Sequence, residues 1–255
     1  MIKYILKIFP REFLIKFSFY LLPVLKILFR GKKFIDPIDG NGYSTFFSYG
    51  YNKIRKNALC PGTLSLERHR ILWLYLTNET NFFESNLRVL HIAPEQIFYK
   101  RFREIKNWDY VTFDLKSPLA SIKGDIKSME FEDNCFDLII CNHVLEHIDD
   151  DFKALKEIYR VLKPGGISIL QVPMNINRIN TIEDKTITSK KEREKLFGQY
   201  DHVREYGLDF KERVEKIGFD IELIDYIKKI SSDLVEKYSL KKDDFIPIAR
   251  KLISN

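Results

Sequence analysis

The stretch Phe136–Gly166, FDLIICNHVLEHIDDDFKALKEIYRVLKPGG, limits the fold more than any other part of this 255-residue chain. It opens with an apolar, β-branched run, Phe136 to Cys141, suited to a parallel strand buried on both faces. A polar, histidine-bearing turn follows, from Asn142 to Asp151. Phe152, Leu155, Tyr159 and Leu162 then recur at the spacing of one apolar helix face, behind aspartates that cap the helix and complement its dipole. Pro164-Gly165-Gly166 predicts a helix stop, and Ile167 to Val172 the next strand. Strand, turn, helix and strand make one βαβ crossover, the unit of a parallel sheet covered by helices. Such sheets bind ligands beyond the carboxyl ends of their strands, which makes the turn after Cys141 a candidate site.

The flanking sequence repeats the alternation. A helix is expected from near Ser65 to Leu76, a strand over Leu87–Ile92 with Ala93-Pro94-Glu95 as its exit loop, and a helix over Ile97–Ile105. Tyr110–Phe113 reads as a second strand ending at Asp114, and Ile122 lies near a third, followed by Gly124-Asp125. Beyond the crossover, a helix over Asp209–Ile217 stopped by Gly218 and strands near Phe219–Tyr226 and Phe245–Arg250 complete the set. The fold class this predicts is α/β: a Rossmann-like, doubly wound, mostly parallel seven-stranded sheet with helices on both faces, plus a small N-terminal appendage. In that architecture an acid ending the second strand can accept both hydroxyl hydrogens of a ribose; Asp114 is either that acid or a solvated turn residue. Asp125, at the end of the next strand, can accept from an adenine amino group.

Charge is concentrated at one end. Residues 1–33 carry eight Lys and Arg against one acid, Glu12, so the rest of the chain is close to neutral although the whole is +6. No nucleic-acid partner is expected of a nearly neutral main domain. Residues 1–30 form a basic amphipathic segment. Its longest uncharged run, Phe17–Leu25, is well short of the roughly 20 residues a spanning helix needs, and no cleavage site follows it. Lys3 with Lys7, and Lys26 with Arg30, recur at i, i+4 beside apolar positions, the pattern of a helix lying on an anionic membrane surface. The alternative is that the segment docks on the main domain or on a second protomer. Cys60, Cys135 and Cys141 form no CxxC pair and read as reduced thiols. The expected location is cytoplasmic, peripheral on the inner membrane.

Residues 31–70 show little periodic structure. Asp36-Pro-Ile-Asp39 and Cys60-Pro-Gly-Thr63 have the shape of paired zinc knuckles, but three of the four ligand positions do not suit a structural zinc site. Turns that persist without metal are therefore expected, and nothing in the spacing recruits His69. His143-Val-Leu-Glu-His147 carries two histidines at i, i+4, yet a zinc protease needs Glu directly after the first, where Val144 stands. No metal is expected there. Either histidine can instead serve as a general base; otherwise His147 packs the turn and His143 covers a ligand.

Taken in order, Val89-Leu-His-Ile-Ala-Pro-Glu95, Phe113-Asp-Leu115, Gly124-Asp-Ile126, Phe136-Asp-Leu-Ile139 through His147, and Leu162-Lys-Pro-Gly-Gly166 resemble a class I S-adenosylmethionine-dependent methyltransferase over roughly residues 70–250. The resemblance implies S-adenosylmethionine as cofactor, held by His91, Ala93, Pro94, Glu95, Asp114, Leu115, Asp125, Ile126, Asn142 and His143. The chain departs from the family pattern in the first motif: His91 stands at the usual acid position, and Ala93 and Glu95 at two glycine positions. Glu95 can take over as the acid meeting the α-amino group. The string HIAPE is similar to a bacterial subgroup that carries this loop in its own form, preceded by a Cys-Pro-x-Cys-Gly pair. By that likeness 31–70 is a degenerate zinc-ribbon-like module, and 71–255 the methyltransferase domain. In the family the insertion after the fifth strand commonly forms part of the acceptor pocket. This points to Glu183, Gln199, Asp201 and Arg204 as substrate-binding residues and to His202, with His143 and His147, as candidate bases; the alternative for this insertion is a salt-bridged lid loop. The expected acceptor is a small molecule or a glycan, such as a lipid-linked saccharide. Methylation of a diffusible metabolite, or a non-catalytic binding protein that keeps the fold, are the competing readings.

Overall fold

The computed structural model describes residues 11–50 and 54–253. Lys3 and Lys7 lie outside the described residues. The chain divides into two compact units, one of residues up to Gly50 with Ile54–Glu79 and Ile227–Lys242, the other of Thr80–Tyr226 and residues from Asp243 onward. The helix before residue 80 and the segment 227–242 thus group with the N-terminal residues, although sequence reasoning draws the boundary at 70.

The first unit opens with helix α1, Arg11–Leu28, which contains Pro23. The helix ends at Leu28, so Lys26 and Arg30 do not share a helical face as their spacing predicts: Arg30 opens strand β1, Arg30–Asp36. Sheet pairing decides this. Ser44 donates its amide to Phe29 O at 2.8 Å, and a side chain at Gly31 would strike Ser44. β1 pairs antiparallel with β2, Asn41–Tyr43; β3, Phe47–Tyr49, pairs with β4, Arg55–Leu59; helix α2, Glu67–Glu79, follows. Two of these strands are three residues long, too short to show an alternating pattern. Phe34, Tyr43, Phe46 and Cys60 form a small core, with the Phe34 and Phe46 rings stacked at 5.0 Å.

The two knuckle-shaped turns meet, and hydrogen bonds join them. The buried Asp36 carboxylate accepts from the hydroxyls of Thr63 and Ser65 and from the Ile38 amide. The Tyr43 hydroxyl donates to Asp39 Oδ2 at 2.7 Å, and a Cβ added at Gly62 would lie 2.1 Å from that hydroxyl oxygen. Burial pushes the Cys60 thiol up to about 12, so it is held neutral. Arg70, fully buried, donates to the carbonyls of Ala58, Ser65, Tyr238 and Ser239 and lies over the Phe46 ring. A guanidinium satisfied by four carbonyls is how this small unit keeps a charge inside.

The second unit is built on the sheet. In chain order its elements are β5 Leu87–Ile92, α3 Gln96–Phe102, β6 Trp108–Asp114, β7 Ile122–Lys123, β8 Phe136–Cys141, α4 Asp151–Val161 and β9 Leu162–Ile169. There follow β10 Ile182–Glu183, α5 Lys190–Phe197, β11 Arg204–Glu205, α6 Phe210–Glu215, β12 Phe219–Ile224 and β13 Ile246–Lys251. Seven strands join in the order β12-β13-β9-β8-β5-β6-β7, with β13 antiparallel to both neighbours and the other pairs parallel. The expected seven-stranded, mostly parallel sheet is present. β5 and β8 are buried along most of their length, which is why their apolar runs read as continuous. α3 stops at Phe102, short of the expected Ile105; its Phe98 and Phe102 rings stack at 5.1 Å against the sheet. Pro164-Gly165-Gly166 does not separate helix from strand. α4 ends at Val161, β9 begins at Leu162, and the three residues form an irregularity within β9, where the register jumps from Phe136↔Leu162 to Leu138↔Ile167. Gly165, at φ +79°, makes that detour without a Cβ penalty.

Candidate active site

The parallel registers set the end of β5 beside the ends of its neighbours: Ile92 pairs with Phe113 on one side and with Cys141 on the other. Ala93, Asp114 and Asn142 therefore leave the sheet side by side, and Lys123 pairs with Asp114 one strand further out. Ala93 takes φ +50°, a conformation glycine usually supplies, and its amide donates to Phe113 O at 2.8 Å. Glu95 caps α3 by its backbone position, and its carboxylate accepts from Asn142 Nδ2 at 3.2 Å, with His91 Nε2 3.5 Å from the same oxygen. His91 is fully buried, its Nδ1 2.7 Å from the Tyr110 hydroxyl. The structure thus makes His91 a buried support for Glu95 from beneath the loop.

Several buried polar atoms around these strand ends have no hydrogen-bond partner among the described residues: His91 Nε2, Asn142 Oδ1, and both amide atoms of Gln171. Gln171 follows β9, and its carbonyl accepts from the His143 amide at 2.7 Å, which ties it to the turn after β8. Buried polar groups are nearly always paired, so a cluster of unpaired ones at the ends of β5, β8 and β9 fits a ligand rich in donors and acceptors. Asp114 Oδ1 accepts from the Lys116 and Ser117 amides, leaving Oδ2 without a hydrogen bond among the described residues. Asp125 holds the Lys127 amide at 2.9 Å and is exposed, whereas the adjacent Ile126 is buried. Leu115, 59% exposed, offers an apolar surface beside Asp114. A polar cluster at one end, a free carboxylate oxygen in the middle and apolar Leu115 beside it fit an amino-acid nucleoside such as S-adenosylmethionine.

The histidines occupy the turn after β8 and the loop before β11. His143, at φ +53°, places Nδ1 3.1 Å from Glu146 Oε1. Burial pushes the Glu146 carboxyl up, but the His143 hydrogen bond and the nearby imidazoles outweigh it and leave the carboxyl below its ordinary range. His147 and His202 meet edge to face, ring centroids 4.8 Å apart. His147 Nδ1 lies 3.3 Å from Asp201 O, and His202 Nδ1 lies 2.9 Å from Phe197 O. Gln199 donates to Asp201 at 2.7 Å, so these two shape the loop that carries His202.

Arg204 does not offer itself to a substrate, and Glu183, though exposed, is held by two arginines. Arg204 is 2% exposed, and its guanidinium donates to the carbonyls of Leu145, Ile148 and Asp149 and to Glu183 Oε2. Glu183 is shared with Arg213, which also pairs with buried Asp151 at 2.9 Å, itself the acceptor for the Tyr206 hydroxyl. The physical reason is a shortage of donors: carbonyls of the turn 145–149 point inward, and a guanidinium fork donates to those of Leu145, Ile148 and Asp149. This corrects the expectation of Arg204 as a carboxylate or phosphate binder. Sequence reasoning missed Glu146, Gln171 and Tyr110. Gln171 carried a signal, as the lone polar residue in Ile-Leu-Gln-Val; Tyr110 carried none.

Residues 77–170 match the family described as a methyltransferase domain. With the strand order, the matched stretch is a methyltransferase domain of the class I, S-adenosylmethionine-dependent kind, for which S-adenosylmethionine is the methyl donor. Among curated relatives, the sterol 24-C-methyltransferase of Aspergillus fumigatus is 43% identical over 53 residues, 21% of this chain and 14% of that protein. The demethylmenaquinone methyltransferase of Staphylococcus epidermidis is 42% identical over 48 residues, 19% of this chain and 20% of that protein. The chain thus matches a fifth or less of the length of these relatives. Among solved structures, the [4+2]-cyclase SpnF is similar at a TM-score of 0.50 and 15% identity, covering 93% of this chain and 96% of that one.

Proposed function

We propose that the chain is an S-adenosylmethionine-dependent methyltransferase whose acceptor is polar and lies at a membrane surface. The observation that carries the donor half is the cluster of unpaired buried atoms on Asn142 and Gln171, beside Glu95, which His91 supports from beneath, and the free Oδ2 of Asp114. When bound, the sulfonium cofactor supplies an electrophilic methyl group and a neutral thioether leaving group. Asp114 Oδ2 would bind the ribose, Glu95 with Asn142 the α-ammonium end, and Asp125 and Ile126 the adenine. His143, partly exposed at the turn after β8, would remove the acceptor proton, positioning supplying much of the acceleration.

The membrane half rests on α1. Tyr20, Val24, Ile27 and Leu28 are exposed on it, and exposed Arg30, Lys32 and Lys33 follow. Apolar contact beside positive charge suits an anionic lipid surface and an amphiphilic acceptor such as a lipid-linked saccharide. Among the described residues no helix is long and apolar enough to cross a membrane.

Calorimetric titration with S-adenosylmethionine tests the donor reading. Asp114→Ala should weaken binding by about tenfold to a hundredfold, the cost of losing hydrogen bonds to a charged group; no binding to the parent protein at millimolar cofactor would overturn the proposal. Sedimentation with anionic vesicles tests the membrane reading. Ile27→Asp with Lys32→Glu should leave the protein in the supernatant, and a parent protein that stays there too would favour a diffusible acceptor.

A further inference from the structure

Glu146, His147 and His202 form a second polar cluster beside the donor site, and hydrogen bonding alone does not account for it. His147 Nδ1 faces Asp201 O at 3.3 Å and the Asp201 carboxylate at 3.6 Å; His202 Nδ1 faces Phe197 O at 2.9 Å. Those oxygens can only accept, so each Nδ1 carries the proton and each Nε2 keeps its lone pair. Glu146 is fully buried, with Oε1 beside His143 Nδ1 and Oε2 unpaired among the described residues. One ligand atom from each of the three residues lies within 4.8 Å of the other two. With each Nδ1 committed to a carbonyl, the two Nε2 lone pairs and the unpaired Glu146 Oε2 are the donor atoms left, and one cation held between them would satisfy all three.

We propose that Glu146 Oε2, His147 Nε2 and His202 Nε2 bind one divalent transition-metal ion, with Zn2+ the best match to two imidazoles and a carboxylate. The backbone carbonyls behind His147 and His202 are the outer hydrogen bonds that orient ligating imidazoles in metal sites. Tetrahedral ligand atoms lie about 3.3 Å apart around zinc, so closure by a small rotation completes the set. His147, the partly exposed member, is the side chain able to make it and the route by which the ion enters. The HVLEH spacing concealed this, because the ligands are the central Glu, the second His and a histidine 55 residues further on. A fourth position would remain for a water or acceptor oxygen, whose pKa the ion would lower. That consequence rests on the methyltransferase reading; the binding itself does not.

Full-length protein, stripped with chelator, would be titrated with Zn2+ by calorimetry and with Co2+ by visible absorption, with no cofactor present. One ion per chain is expected, with tetrahedral Co2+ bands that Zn2+ abolishes. His202→Ala and His147→Gln should each weaken binding at least tenfold. His147→Gln, at a partly exposed side chain, serves as the check if His202→Ala unfolds. Binding seen only at millimolar metal, or unchanged in folded His147→Gln, would overturn the proposal. A separate titration with S-adenosylmethionine reports on the donor reading alone, so the two fail independently.

Discussion

Arg204 and His202 sit two residues apart in one loop, and burial gives them opposite consequences. Arg204 keeps its charge because carbonyls and carboxylates surround it, and removing the guanidinium would take a donor from buried carbonyls of the turn and leave Glu183 to Arg213 alone. Arg204→Ala should therefore lower unfolding stability by about 3–5 kcal/mol in urea titration, as breaking a buried pair does. Any change in acceptor KM beyond the loss of folded protein would restore a binding role. His202 is desolvated and its folded pKa falls below the ordinary 6.5. The unfolded state then binds the extra proton first, so stability is complete above pH 6.5 and declines as pH falls through that value toward the folded pKa. Unfolding measured between pH 7.5 and 5.5, without added metal, should show this decline, and His202→Gln should flatten it. Asp114, Asp125, Glu95 and Asn142 were legible because a strand end followed by a polar residue is a local pattern. Glu146 and Gln171 were not, since their meaning depends on which buried atoms lack partners.

At the scale of elements, legibility followed burial and length. Leu87–Ile92 and Phe136–Cys141 appear in the structure with the ends the sequence predicts, because strands buried on both sides are uniformly apolar. The hairpins of residues 30–59 were illegible: their strands are short and one face of each is open. Pro164-Gly165-Gly166 misled for a different reason, since punctuation within a strand and at a helix end uses the same residues. The knuckle turns make a prediction about Gly62. With Tyr43 hydroxyl 2.1 Å from where a Cβ would stand, Gly62→Ala must push the ring away from Asp39. It should cost about 1–3 kcal/mol, the range for overpacking a core, and Tyr43→Phe combined with it should recover part of the loss. Chemical denaturation of the two variants and their double would read this directly, with additive costs arguing against a shared contact.

For the whole molecule, the sheet unit carries the donor site and should respond to the donor as a body. S-adenosylmethionine at a hundred times its Kd should stabilise that unit by about 2.7 kcal/mol, roughly 5–10 °C in Tm for a protein of this size. Calorimetric scans with and without the compound would show this as a shift of one transition. The same sheet also constrains the order in which the molecule can be assembled. β13 is hydrogen-bonded to both β9 and β12, so β12 has no strand to pair with until residues 246–251 exist. During synthesis the run β5–β9 can close as each crossover leaves the ribosome, but β12 must wait for a later segment to slot in between it and β9. A released chain that ends just before Ile246 would therefore present an unpaired β12 to chaperones and proteases.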